Sequence, residues 1–346
     1  MNKLKVLVVD DSPFIRRILS DWITADPDME LIGTAENGAE AIIKAVELKP
    51  DVITLDVEMP VMDGLTALEF IRKKTSAKVL MVSSVTTQGA DATMRALELG
   101  AYDFVTKPQG SSSIKIIGAK NELLDKIRQA TQVRNVTSSE RRASTRIETL
   151  AKTDKVVLIA SSTGGPKSLA ELWAGLPKGF PAPILIVQHM PPGFTESFAR
   201  RLNQIGTVPC HEAVHGELVK PGQAYLAPGG SHMKVNSKGN IEIYDGPNVH
   251  GTKPAADPLF ESALEYWGAD KIIGAVLTGM GRDGAAGAAS IVKAGGVFFG
   301  QNEDTCVIYG MPKAAKQAGG ITDELPLNQI ATALTSALHR RQRRAS

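Results

Sequence analysis

Val156-Val157-Leu158-Ile159-Ala160-Ser161-Ser162-Thr163-Gly164-Gly165 is an apolar run followed by a pair of serines, a threonine and a glycine pair. A continuous apolar run of this length, closed by glycines, reads as a strand buried on both faces, the kind found in parallel sheets covered by helices. The glycines then turn the chain sharply into a helix, which leaves Ser162 as a hydroxyl at the strand end. Later runs end in a similar way. Ile184-Leu185-Ile186-Val187-Gln188 delivers His189, and Ile272 to Thr278 leads into Gly279-Met280-Gly281-Arg282-Asp283. In an open α/β sheet the carboxyl ends of parallel strands form the ligand crevice, so Ser162, His189 and Asp283 are expected to converge there.

Upstream of that strand, short apolar runs at 6–9, 31–35, 52–55, 79–82 and 104–105 alternate with segments of helical periodicity, such as Phe14, Ile15, Ile18, Leu19, Trp22 and Ile23. Such βα units predict a doubly wound parallel sheet of flavodoxin type. From about Ala130 the pattern stops. Residues 131–146 are polar and rich in Ser, Thr and Arg, with too little apolar surface to offset the entropy of ordering, and read as a linker. The arginines there come with no aromatic or motif, which favours a solvated linker over a nucleic-acid patch. A second α/β series runs from Val156 to about Leu338, and Arg340-Arg341-Gln342-Arg343-Arg344 reads as a solvated tail. The fold class is α/β: doubly wound parallel-sheet domains, the first flavodoxin-like and the second Rossmann-like, joined by a linker. The expected divisions are 1–122, then 123–153 for a helix end and flexible linker, then 154–346.

A net charge of +2 over 346 residues is too small to imply nucleic acid or an anionic membrane as partner. No apolar stretch reaches the roughly 18 residues of a membrane span, and no charged leader with an apolar core precedes the first strand. Cys210 and Cys306 are too few for a disulfide framework. The expectation is a cytoplasmic protein with no membrane insertion.

In the first series, Asp10 and Asp11 follow the first strand, Asp56 ends the third, Ser83-Ser84 the fourth, and Lys107-Pro108 follow the fifth. Carboxylates brought this close repel one another unless a cation sits among them, and all-oxygen ligation suits Mg²⁺. Lys107 supplies a point charge for a phosphoryl oxygen, Ser83 a hydroxyl donor for another, and Asp56 a nucleophile that forms an acyl phosphate. Helix capping accounts for one aspartate, not for the set. Over about residues 4–121 this part resembles the receiver domain of two-component response regulators, on these residues together with Met59-Pro60, Asp63-Gly64 and Phe104. The resemblance implies Asp56 as phospho-acceptor and Mg²⁺ held by Asp10, Asp11, Asp56 and the backbone carbonyl of Glu58. It implies Ser83 as hydroxyl switch, Phe104 as aromatic switch where tyrosine or histidine is common, and Lys107 as the third switch residue.

In the second series, a serine hydroxyl is a weak nucleophile until a histidine takes its proton and a carboxylate fixes the imidazole tautomer. Ala160-Ser161-Ser162-Thr163-Gly164 lacks the first glycine of G-x-S-x-G but keeps strand, hydroxyl and glycine turn. The N–H groups of Thr163, Gly164 and Gly165, at a helix N-terminus, are candidate oxyanion donors. Other readings compete. Ser161 and Ser162 are typical helix N-caps. Gly279-Met280-Gly281-Arg282-Asp283-Gly284 matches G-x-G-x-x-G, with Glu303 and Asp304 downstream for a ribose, but a dinucleotide there would meet the charge of Asp283. His211-Glu212-Ala213-Val214-His215 matches the zinc motif H-E-x-x-H, which needs a helix. Pro209 and Gly216 bracket it and predict a strand or turn. A phosphorylation-controlled binding protein without catalysis is the rival of another class.

Residues 156–338 resemble the catalytic domain of chemotaxis response-regulator protein-glutamate methylesterases, on Ser161–Gly165, Gln188-His189-Met190-Pro191, Leu277–Gly284, Tyr225–Gly229 and His232-Met233. Ala160 stands where that family usually has Gly, and Arg282 where Asn is common. The resemblance implies Ser162 as nucleophile, His189 as base and Asp283 as orienting carboxylate. It implies hydrolysis of glutamate γ-methyl esters, and deamidation of glutamines, on methyl-accepting chemoreceptors, with no cofactor for the hydrolysis. A chemotaxis histidine kinase is the implied phosphodonor, nucleic acid is not a partner, and the receiver is expected to restrict Ser162 until Asp56 is phosphorylated.

Overall fold

The computed structural model describes residues 3–108, 113–130, 133 and 153–339. The expected linker at 131–146, apart from Val133, and the basic tail at 340–344 lie outside the described residues. The chain forms two compact units, Met1–Val133 and Arg134–Ser346.

The first unit alternates β1 (Leu4–Val9), α1 (Pro13–Thr24), β2 (Met29–Ala35), α2 (Gly38–Leu48), β3 (Val52–Asp56), α3 (Gly64–Lys74), β4 (Lys78–Ser83), α4 (Thr87–Leu99), β5 (Asp103–Thr106) and α5 (Ser113–Gln129). The sheet is parallel, in the order β2-β1-β3-β4-β5. Strand order reverses between β1 and β3, and the crevice opens at their carboxyl ends. Helix starts are set by side-chain caps. Ser12, Asn37, Asp63 and Thr86 each accept the backbone N–H three residues on, from Ile15, Glu40, Thr66 and Gly89. Val6, Val8, Val52, Leu80 and Val82 bury one face of the sheet against Leu19 and Ile23 of α1 and Leu123, Leu124 and Ile127 of α5.

The second unit runs β6 (Val156–Ser161), α6 (Gly165–Gly175), β7 (Ile184–Gln188), α7 (Thr195–Ile205), β8 (Cys210–Glu212), β9 (Ala224–Leu226), β10 (His232–Val235), β11 (Ile241–Tyr244), α8 (Ala256–Trp267), β12 (Ile272–Val276), α9 (Ala285–Lys293), β13 (Val297–Gln301), α10 (Met311–Gln317), β14 (Asp323–Leu325) and α11 (Leu327–His339). Its main sheet is parallel, in the order β14-β13-β12-β6-β7-β9-β8. Every residue of β6, β7 and β12 is buried, as their unbroken apolar runs require. Phe260 of α8 and Phe298 of β13 meet edge to face at 5.2 Å in the core. Because the chain leaves β6 for β7 on one side and returns at β12 on the other, the switch point lies at the end of β6, where Ser162 stands.

The antiparallel pair β10 and β11 was not expected from the sequence, since strands of four residues with mixed burial show no clear period. The zinc motif does not form. His211 and Glu212 lie in β8 with His215 beyond it, and His211 Nε2 pairs with Glu217 Oε2 at 2.8 Å. Among the described residues no helix is long and apolar enough to cross a membrane.

Candidate functional site

At the carboxyl ends of β1, β3 and β5, oxygens of Asp10, Asp11 and Asp56 lie within 4.8 Å of one another. Lys107 Nζ donates to Asp56 Oδ2 at 2.7 Å. It also lies 3.0 Å from Asp10 Oδ2, but without hydrogen-bond alignment, so that buried oxygen has no donor. Burial is the largest influence on Asp56 and raises its pKa. The Lys107 bond pulls it down, the charges of Asp10 and Asp11 push it up, and it settles at about 6. Burial likewise lifts Asp10 against the pull of Lys107. For Lys107, burial disfavours the ammonium, yet Asp56 and Asp10 outweigh it and hold the pKa above the ordinary lysine value. One ammonium does not neutralise this set of carboxylates. The all-oxygen donors and the orphaned buried oxygen fit a hard divalent cation, and Glu58 lies on the exposed loop beyond β3.

Ser83 and Phe104 stand beside that cluster: Ser83 ends β4, the strand next to β3, and its carbonyl accepts the Lys107 N–H at 2.8 Å, while Phe104 lies on β5. Ser83 Oγ donates to Gly89 O at 3.2 Å, tying β4 to α4. Phe104 is 2% exposed. Its ring lies 5.3 Å from Lys126 Nζ, which donates to the Phe104 carbonyl at 2.6 Å and pairs with Asp103 and Glu122 at 3.3 Å each. Sequence reading passed over Lys126, because a lysine in a helix ordinarily faces water and nothing in its spacing announces an aromatic partner.

In the second unit the β6–β7 register sets Ser161 opposite Gln188, so Ser162 and His189 are the next residues on adjacent strands. His189 N donates to Ser161 O at 3.0 Å. The Gln188 carboxamide fastens both turns. Its Oε1 accepts Ser161 Oγ–H at 2.6 Å, and its Nε2 donates to Ser162 O and His189 O at 3.0 Å each. His189 Nε2 lies 2.7 Å from Asp283 Oδ2. Asp283 also accepts the first N–H groups of α8, from Ala256 at 2.6 Å and Asp257 at 3.1 Å. Burial is the largest influence on Asp283 and favours its neutral form. The bond and charge of His189 and the two N–H donors outweigh it, and the pKa lies below the ordinary carboxylate value. An ionised Asp283 only accepts, which puts the imidazole proton on Nε2 and leaves Nδ1 as the basic nitrogen. The Ser162 hydroxyl makes no hydrogen bond to His189 among the described residues; such bonds are often open until substrate binds.

The turn after β6 corrects two expectations. Gly164, at φ 77°, is the N-cap of α6 and no side chain caps the helix, so neither serine serves there. Gly165 is not an available oxyanion donor, because its N–H donates to Ser162 O at 2.7 Å: the tight turn folds it back on the serine. Thr163 and Gly164 remain candidates, and the Gly164 N–H has no acceptor among the described residues. A Cβ on Gly164 would lie 2.5 Å from Val307 Cβ, and one on Gly165 2.0 Å from Gln188 Oε1, so only glycine fits either place. The G-x-G-x-x-G stretch is built against the same turn. Gly279 approaches Ser162 so closely that a Cβ there would lie 2.7 Å from the serine Cβ, and Asp283 is engaged by His189. Thr252, which the sequence reading also passed over, places Oγ1 3.3 Å from His189 Nε2.

Comparison with known proteins covers nearly the whole chain. The family model for CheB methylesterase matches residues 157–334, and that for the response regulator receiver domain matches residues 6–117. A protein-glutamate methylesterase/protein-glutamine glutaminase of Pyrococcus horikoshii is 44% identical over 349 residues, covering 97% of this chain and 94% of that protein. One of Thermotoga maritima is 45% identical over 332 residues, covering 94% of this chain and 96% of that protein. The crystal structure of the Thermotoga maritima CheB methylesterase catalytic domain superposes with a TM-score of 0.51 at 41% identity, over 53% of this chain and 97% of that one.

Proposed function

This chain belongs to the CheB methylesterase family and is a protein-glutamate methylesterase/protein-glutamine glutaminase with a receiver domain, and from that premise we propose that Ser162, His189 and Asp283 carry the hydrolysis. The supporting observation is the 2.7 Å bond from His189 to a saturated, ionised Asp283, with Ser162 on the neighbouring strand end. His189 Nδ1 takes the Ser162 proton as Oγ adds to the γ-carbonyl carbon of the substrate side chain. Asp283 stabilises the imidazolium, and the N–H groups of Thr163 and Gly164 receive the oxyanion. The imidazolium then protonates the leaving group, methanol from an ester or ammonia from an amide. Water, activated by the same imidazole, releases glutamate from the acyl-enzyme.

The substrates in this reading are γ-methyl esters and glutamines of methyl-accepting chemoreceptors, and the phosphodonor is a chemotaxis histidine kinase. Asp56 accepts the phosphoryl group and hydrolysis rises in response. Mg²⁺ held by Asp10, Asp11, Asp56 and the Glu58 carbonyl would offset the charge of acceptor and phosphoryl group. The reading is tested with Ser162→Ala in the full chain. Methanol release and labelling by a serine-directed phosphonate are expected to vanish while Asp56 is phosphorylated at the parental rate. Full turnover by this variant would remove Ser162 from the mechanism. Equal parental rates with and without a small-molecule phosphodonor would remove Asp56 from its control.

A further inference from the structure

We propose that the turn Val249–Thr252 is a positioning element for His189, with Thr252 Oγ1 as a second acceptor for the Nε2 proton. This rests on the Ser162–His189–Asp283 reading and adds a residue to it. Val249 N donates to Thr252 O at 3.1 Å and Thr252 N to Val249 O at 3.0 Å. The residues between them, His250 at φ 53° and Gly251 at φ 82°, are both left-handed. That is a tight two-residue turn of type I′, a geometry that His tolerates and Gly favours. It presents Thr252 to the imidazole in a fixed orientation.

The proton count settles the direction of the contact. With Nε2 protonated towards the ionised Asp283, the one hydroxyl proton of Thr252 has Val249 O, at 3.0 Å, as its acceptor. Towards His189 Nε2, 3.3 Å away, Thr252 Oγ1 therefore only accepts. Asp283 also only accepts. Nε2 thus faces acceptors on two sides, which favours the tautomer protonated there and keeps Nδ1 free for the serine proton. When the imidazolium forms, both acceptors meet a full positive charge, so the contact strengthens during the reaction and acts on rate more than on binding.

The turn is anchored to the same helix start that holds Asp283. His250 Nε2 bonds Asp257 Oδ2 at 2.8 Å. Asp257 uses Oδ1 to accept Gly287 N at 2.8 Å and its own N–H to bond Asp283 Oδ1 at 3.1 Å. Successive residues at the start of α8 thereby hold the orienting carboxylate and the turn that carries Thr252. On its other side the turn is tied by Gly230 N to Lys253 O at 3.1 Å.

The test uses the full chain with a small-molecule phosphodonor and a peptide bearing a glutamate γ-methyl ester. Thr252→Val keeps the side-chain shape and removes the acceptor. It is expected to lower kcat and the rate of phosphonate labelling at Ser162 by about tenfold, with KM within about twofold of the parent. Thr252→Ser restores the acceptor and should recover most of the rate. His250→Ala leaves Thr252 intact but frees the turn, and should give an intermediate fall. It also stands in should Thr252→Val fail to fold. Parental kcat in Thr252→Val, a defect confined to KM, or a serine variant as slow as the valine one would overturn the proposal. An unlabelled parent would instead overturn the serine mechanism, and the positioning role with it.

Discussion

Both units place carboxylates at the carboxyl ends of buried parallel strands, and the two sites treat that negative charge in opposite ways. Around Asp56 the chain supplies too little compensation. Asp10 Oδ2 is buried without a donor, Lys107 is shared between Asp10 and Asp56, and the pKa of Asp56 rises to about 6. Around Asp283 the chain supplies enough. Two backbone N–H groups and His189 hold the carboxylate, and its pKa falls although burial opposes this. The first arrangement leaves negative charge uncompensated, which suits the ion proposed for it. The second is preorganised and holds its charge in place before any substrate binds. A strand-end aspartate is therefore a statement about location only. The donors around it decide what it does.

The comparison breaks most severely if Asp283 loses its charge. Asn offers one acceptor oxygen to the three donors now shared by a carboxylate. Either α8 loses a partner for its first N–H groups, or the amide presents its own N–H to the imidazole and selects the wrong tautomer. Asp283→Asn is expected to lower kcat about 10³- to 10⁴-fold, by the precedent of triad aspartates in general. Phosphorylation of Asp56 should be unaffected. Methyl-ester hydrolysis and Ser162 labelling measure it, and a loss under about tenfold would show that saturation of Asp283 is not what orients His189.

This asymmetry was only half legible in the sequence. Ile184–Gln188 announced its strand because a run buried on both faces has no competing reading, and the position of His189 followed from it. The series from Val6 to Val105 announced the parallel sheet through its alternation with helical segments, since the edge strand β2 is only partly buried, and the observed strands extend the runs by a residue or two. The donors were not legible. Ala256 and Asp257 reach Asp283 from a helix start 27 and 26 residues upstream, and Thr252 comes from an irregular stretch with no period. Gln188 carried a signal that was available: a polar side chain closing a fully buried strand must find partners, and it found the backbones of Ser162 and His189. Gly165 shows the opposite failure. The glycine pair announces a strand-to-helix turn, but the tightness of that turn commits the Gly165 N–H to Ser162 O.

The charge deficit around Asp56 predicts an unusual pH dependence. The carboxyl moves from 3.8 to about 6 on folding, so between those values the folded state binds more protons than the unfolded one. Stability then falls as pH rises from about 4 to about 6 and stays lower above that, by about 3 kcal/mol. In chelator, Asp56→Asn removes the ionisation and should stabilise the receiver transition by up to that amount at pH 7.5, with the gap closing towards pH 4. Adding Mg²⁺ should raise the parent's transition more than that of the variant. Hydrogen exchange at the amides of β1 and β3 across a urea series reads both. A gap that does not change with pH would mean that the cluster is already compensated, as Asp283 is.

Backbone strain divides the two sites in the same sense, with a smaller effect. The strand-end turns of the hydrolase use glycine at their left-handed positions, Gly164 at φ 77°, Gly281 at φ 93° and Gly284 at φ 78°, and its left-handed His250, at φ 53°, is not β-branched and is held by Asp257. The loop beyond β3 uses Val61, at φ 68° and 88% exposed, inside a three-residue turn closed by Met62 N to Pro60 O at 2.7 Å. A β-branched residue is strained there and, being exposed, gains little from packing in return. Val61→Gly is expected to stabilise the receiver transition by about 1 kcal/mol, the relief of strain exceeding the extra freedom that glycine gives the unfolded chain. A destabilised variant would show that the Val61 side chain is held by more than its backbone geometry. If the variant is stabilised and also dephosphorylates at a changed rate, the strain belongs to the phosphorylation switch, and the receiver has traded stability for response where the hydrolase turn did not.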